Sequence, residues 1–270
     1  MIELEELRKN KNVIVKDFDK LPSDMKEYYE KIVDSGEYKG ISIYGAKYEA
    51  NKYEYFGNSV YYLPNNVILD GRYSSGYDFV KFDSKRYIVL DYFVLDLVDK
   101  KIAVYEQWVD GFTDSLGEIK NIKIEEDKES KGRKIIINDK IIITIDKDNR
   151  IIKYDNELVK DITSDFMHRS KDIKSINIPN VETISDYFME SDGNIQELNL
   201  PNVKKIGSDF MPCNQALKKA NFHNLQQIDY AFMEGNNSLE EIDLSSLNEE
   251  CYDRLPEYIW NLVQNKKVIK

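Results

Sequence analysis

The chain has two histidines, His168 and His223, and two cysteines, Cys213 and Cys251. Nucleophilic catalysis or zinc binding needs such residues clustered at ligand or base spacing, and these four are scattered. No G-x-S-x-G, H-E-x-x-H or phosphate-cradling glycine loop occurs. Asp146-Lys-Asp148 opens like a calcium loop but lacks the glycine and the terminal glutamate that such a loop requires, so it reads as a hairpin turn. Four carboxylates, Asp70, Asp78, Asp91 and Asp96, would support acid–base chemistry only if the fold set two of them together in a deep cleft. The expectation is a protein without catalysis, metal or cofactor.

One polar pattern is regular. Asn177, Asn199, Asn221 and Asp243 recur every 22 residues, each preceded two positions earlier by Ser175, Glu197, Lys219 or Glu241. Carboxylates, amides and an ammonium on one face suit recognition by ion pairs and hydrogen bonds. These eight residues are the candidate partner-binding strip. A ladder of asparagines bonded to one another would equally serve only to solvate that face.

The strip belongs to a gapless tandem repeat over residues 159–246. Its four units are VKDITSDFMHRSKDIKSINIPN, VETISDYFMESDGNIQELNLPN, VKKIGSDFMPCNQALKKANFHN and LQQIDYAFMEGNNSLEEIDLSS. Position 4 is Ile162, Ile184, Ile206 and Ile228. Position 8 is Phe166, Phe188, Phe210 and Phe232, and a methionine follows each phenylalanine. A unit this short cannot bury its apolar columns against itself, so equivalent residues must stack between coils. Positions 17–20 alternate polar and apolar, as in Glu197-Leu-Asn-Leu200, which predicts a short strand with one face inward. Asn180, Asn202 and Asn224 at position 22 read as turn residues.

The columns resemble the BspA-type leucine-rich repeat, whose units run roughly L-x-x-I-x-x-x-A-F-x-x-C-x-x-L-x-x-I-x-L-P. The chain departs before the phenylalanine, with Asp165, Tyr187, Asp209 and Ala231, and at the cysteine position, which only Cys213 matches. The resemblance implies a leucine-rich-repeat β-solenoid that binds proteins or ligands and does no catalysis.

Residues 1–120 read as an α+β domain with an antiparallel sheet and helices. Ile2, Leu4 and Leu7 suggest a short first helix. Met25, Tyr28, Tyr29, Ile32 and Val33 line one face of a helix bounded by Pro22 and Gly36. Gly40–Tyr44, Ser59–Leu63, Asp78–Phe82, Tyr87–Leu90, Tyr92–Val98 and Lys101–Glu106 are expected strands, closed by a helix carrying Phe112, Leu116 and Ile119. Leu21-Pro22, the Met25–Tyr29 helix, Tyr87–Asp91, Val104-Tyr105 and the stretch from Phe112 to Ile119 are similar to the SUKH family, with Asp34-Ser35-Gly36 replacing its Asn-Gly-Gly. That resemblance implies a protein-binding immunity or scaffold domain, some members of which neutralise toxins by direct contact. Fourteen of the 19 tyrosines lie here. Tyr28, Tyr29 and Tyr105 are expected in the core, and Tyr53, Tyr55 and Tyr73 are candidates for exposure.

Residues 121–133 are charged and read as a linker or loop. Residues 134–158 form an isoleucine-rich β-meander that caps the first coil, and residues 247–270 a helical cap with Leu255, Ile259 and Leu262. Net charge is −11, divided as −5 in residues 1–120 and −6 in the remainder. No basic face is available for phosphates or an anionic membrane, so neither nucleic acid nor membrane is an expected partner. A basic protein is. The start MIELEELRKN lacks the apolar run of a secretory signal, which sets a cytoplasmic expectation. The reading is a cytoplasmic interaction protein, an immunity or scaffold protein, with a surface adhesin or host-directed effector as the alternative. Its oligomeric state is not evident from the sequence.

Overall fold

The structure, a computed structural model, describes residues 2–3, 13–15, 60–63, 67–70, 78–81, 85–90, 93–104, 110–147, 149–167, 170, 172–189 and 194–267. The helix expected between Pro22 and Gly36, the strand at Gly40–Tyr44 and the six tyrosines singled out above lie outside the described residues. Two compact units are present: Met1–Gln107 with Lys147–Arg150, and Trp108–Asp146 with Ile151–Lys270.

Among the described residues, the first unit contains two four-stranded sheets. In one, β2 (Val13–Val15), β5 (Asp78–Lys81), β4 (Val67–Asp70) and β3 (Val60–Leu63) run antiparallel in that order. In the other, β6 (Tyr87–Val89), β7 (Phe93–Asp96) and β8 (Lys101–Val104) form a meander, and β1 (Ile2–Glu3) adds to β8 in parallel. The chain start is therefore strand at Ile2–Glu3, where apolar spacing suggested helix; pairing with Ala103 and Val104 overrides that weak local pattern. Every residue of β6 and β7 is buried, which explains their continuous apolar runs. Asp96 closes this meander. Its carboxylate takes two hydrogen bonds from the backbone N–H groups of Val98 and Asp99 and a forked ion pair from Arg86, at 2.7–3.2 Å. Burial pushes the Asp96 carboxyl up, but the guanidinium and the two amides outweigh it and hold the group below its ordinary range.

The second unit begins with α1 (Asp110–Leu116). Next come β9 (Ile122–Asp127), β10 (Gly132–Ile137), β11 (Ile141–Ile145) and β12 (Ile151–Asn156), an antiparallel meander. The stretch 121–133, expected as linker, is thus mostly strand: Ile122 and Ile124 pair with Ile137 and Ile135, a partnership its charges conceal. Strand β12 pairs in parallel with β14 (Ser175–Asn177) of the first coil, Lys153 facing Ser175 and Tyr154 facing Ile176. That offset equals the repeat period, so β12 occupies the place of a strand in a coil preceding the first.

Helix α1, expected to close the N-terminal domain, packs instead on the first coil. Gly111 N–H donates to Ser164 O at 2.7 Å, and a Cβ at Gly111 would lie 2.3 Å from Thr163 O, so only glycine allows the approach. Phe112 meets Tyr154 and Phe166 at ring distances of 5.1 and 5.8 Å. A buried polar chain fixes the contact. Ser115 Oγ donates to Phe112 O, the Tyr154 hydroxyl donates to Ser115 Oγ, and Asn156 Nδ2 donates to both the Tyr154 hydroxyl and Ser115 O, all within 2.8 Å.

The β-solenoid follows, in about four turns. Strands β13 (Asp161–Ile162), β15 (Thr183–Ile184) and β17 (Lys205–Ile206) form one parallel ladder; β16 (Glu197–Asn199), β18 (Lys219–Asn221) and β19 (Glu241–Asp243) form the other. Phe166, Phe188, Phe210 and Phe232 stack down the interior, with successive ring centroids 5.0, 5.0 and 5.7 Å apart. All four are fully buried. The residue before each phenylalanine and the methionine after it have positive φ in every coil, from 47° at Met211 to 63° at Asp165. Left-handed backbone is costly for Tyr187 or a methionine. Bonds between coils compensate: Met189, Met211 and Met233 N–H each donate to the phenylalanine carbonyl of the preceding coil at 2.8 Å. A 3₁₀ turn at Glu249–Arg254 and α2 (Glu257–Lys267) end the array, with Asn248 N–H and Arg254 donating to carbonyls of the last coil.

Candidate interaction surface

Inward side chains at positions 18 and 20, among them Leu198, Leu200, Ala220, Phe222, Ile242 and Leu244, are buried. Period-two alternation therefore turns Glu197, Asn199, Lys219, Asn221, Glu241 and Asp243 outward on the second ladder. Strand register sets Glu197, Lys219 and Glu241 in one row, and Asn199, Asn221 and Asp243 in the other. Ser175 and Asn177 belong to β14 and so to the meander's sheet. The structure divides the eight candidates between two sheets.

The rows are partly self-satisfied. Asn221 Nδ2 donates to Asn199 Oδ1 at 2.8 Å, and Lys219 pairs with Glu241 at 3.3 Å. Lys218 pairs with Glu240 at 2.6 Å one position away. Glu197 faces Lys219 in register, yet among the described residues it has no ion pair. It is an exposed carboxylate with free acceptor capacity.

At the end of the strip His223, Asp243 and Ser245 meet. Asp243 Oδ2 and Ser245 Oγ both lie against His223 Nδ1, at 3.2 and 3.3 Å. A proton relay needs the carboxylate on one ring nitrogen and the hydroxyl on the other, so the trio is not assembled for nucleophilic catalysis. Ser245 also gives its N–H to Asp243 at 3.0 Å. Burial pushes the Asp243 carboxyl up, but these donors hold it below the ordinary range.

His168, Asp91 and Asp148 lie outside the described residues. Cys213 is exposed, Cys251 is buried, and both are free thiols. Strand register sets Asp70 opposite Asp78, while Asp96 is held by Arg86. An open groove of about 620 Å³ lies beside α1, floored by Leu116, Ile141, Leu158 and Val159. Among the described residues no three side chains are grouped to hold a metal ion, and no helix is long and apolar enough to cross a membrane.

Two polar columns have roles that residue type alone did not reveal. Asn180, Asn202 and Asn224 do more than turn the chain: each donates from Nδ2 to a carbonyl of the preceding coil, those of Glu157, Pro179 and Pro201, at 2.7–2.9 Å. At position 12, Ser170, Asn214 and Asn236 are buried, and Asn236 Oδ1 accepts Asn214 N–H between the last two coils. Its signal was recurrence alone: a small polar residue stands there in every unit, but among polar neighbours that mask it. The chain matches no protein-family model, no curated protein and no solved structure.

Proposed function

We propose that this is a non-catalytic protein-interaction protein whose solenoid strip, Ser175, Asn177, Glu197, Asn199, Lys219, Asn221, Glu241 and Asp243, docks a basic protein. The observation that carries this reading is the rigid register of the outward rows, with Glu197 left unpaired where a cation can reach it. Preorganised side chains lose little freedom on binding, which favours a strip over a loop of the same composition. The resemblance to BspA-type repeats and to the SUKH family extends the proposal: an immunity or scaffold protein of the cytoplasm that neutralises a toxin or another partner by covering it.

Affinity co-purification from native lysate tests the strip, with the Asn199→Lys/Asn221→Glu variant in parallel. A stoichiometric basic partner captured by the wild type and lost by the variant supports the proposal. A partner retained by the variant moves the binding site off the solenoid.

A further inference from the structure

Strand β9 is the outer strand of the five-stranded sheet, and among the described residues its backbone bonds only to β10. Residues 123–126 are exposed. Ile124 stands opposite fully buried Ile135, so it lies on the core face of the sheet, yet it is 39% exposed. An apolar face thus runs to an open edge of unpaired N–H and C=O groups, a template for another strand.

We propose that a second copy of this chain occupies that edge, β9 pairing antiparallel with β9 about a two-fold axis at Ile124. Charge selects the register. A pairing that keeps both core faces on one side must centre on a residue, not between two. Centred on Lys123, it sets lysine against lysine; centred on Glu125, it sets glutamate against glutamate. Centred on Ile124, it sets the two isoleucines together and opposes Lys123 to Glu125 of the second copy, twice. Glu126 then faces Ile122 and Asp127 faces Asn121, so no like charges are directly opposed. Natural edges carry charges to repel other strands. On β9 the charges are self-complementary instead. Lys123 already bonds Asp139 within its own chain and would bridge two carboxylates.

Sedimentation of the full chain over a concentration series tests the pairing. The wild type should pass from one protomer to two as concentration rises. Ile124→Lys, which sets two ammonium groups at the axis, should remain a single protomer. Glu125→Lys should weaken association at least tenfold, and Lys123→Glu/Glu125→Lys should restore it, since the swap reverses each pair without changing the register. Circular dichroism on the charge variants, altered only at exposed positions, checks that folding is unaffected. A wild type that stays monomeric overturns the proposal. So does a dimer unaffected by Ile124→Lys, or a double variant no better than Glu125→Lys.

Discussion

Two asparagine columns, seven positions apart in the same repeat, have opposite fates. Inside the solenoid, Asn214 and Asn236 are 1% and 0% exposed and bond to main chain. Asn236 Oδ1 accepts Asn214 N–H at 2.5 Å, and its Nδ2 donates to Met211 O at 2.9 Å. Outside, Asn199 and Asn221 bond each other's side chains. The inner amides are the partners of coil corners that would otherwise be buried unsatisfied. The outer amides sit on a ladder already complete without them, which is what leaves them available for a partner. Burial and the kind of partner, not residue type, separate framework from surface.

The apolar spine sets the upper limit of the framework's sensitivity. Phe210 stacks between Phe188 and Phe232 and meets Phe222 edge-on. Phe210→Ala should lower unfolding free energy by about 3–5 kcal/mol in urea denaturation, because a neighbouring coil cannot collapse into the gap. A loss below about 1 kcal/mol would mean the column is not the spine. Asn236→Ala comes next. It strands Asn214 N–H and Met211 O in the interior, at about 1–3 kcal/mol for each buried group left unpaired. If its cost fell near zero, the distinction between the two asparagine columns would fail.

Much of this was legible in the sequence, for a physical reason. A solenoid interior repeats its environment, so Phe166 through Phe232 announce themselves by recurrence, and outward Asn199 follows from alternation with Leu198 and Leu200. Three things were hidden. Strand β12 pairs with β14 as a coil strand would, but Tyr154 stands where the first coil has Ile176, and the rest of its unit is hairpin. The spacing of Phe112, Leu116 and Ile119 reveals an apolar face but not that it lies on Tyr154 and Phe166. At the strip, the choice of Lys219 for Glu241 over Glu197 depends on side-chain rotamers, which no spacing records.

The junction between helix and first coil yields a smaller effect with a distinctive pH dependence. In Tyr154→Phe, Ser115 keeps Phe112 O and Asn156 keeps Ser115 O, so the loss should be only about 1 kcal/mol at neutral pH. Burial pushes the Tyr154 phenol up to about 12, against hydrogen bonds that oppose the shift. The unfolded phenol ionises near about 10. The folded state therefore keeps a proton that the unfolded state releases, and stability falls as pH rises from about 10 through about 12. Tyr154→Phe should flatten part of that fall in denaturation midpoints; Tyr258, also raised to about 12, and Tyr87, raised by burial, still contribute to it. An unchanged slope would place Tyr154 in contact with water.

The smallest effect is the most informative about function. Asn221→Ala removes one exposed amide bond to Asn199 and the acceptor for His223 N–H. Both surviving groups can turn to water, so stability should change by less than about 0.5 kcal/mol. Stability and binding then separate cleanly. Under the proposed function, the same substitution should weaken partner capture while the melting curve stays in place. A loss above about 1 kcal/mol would show that the outer asparagines hold the ladder together, as the inner ones do, and would make the strip framework instead of surface.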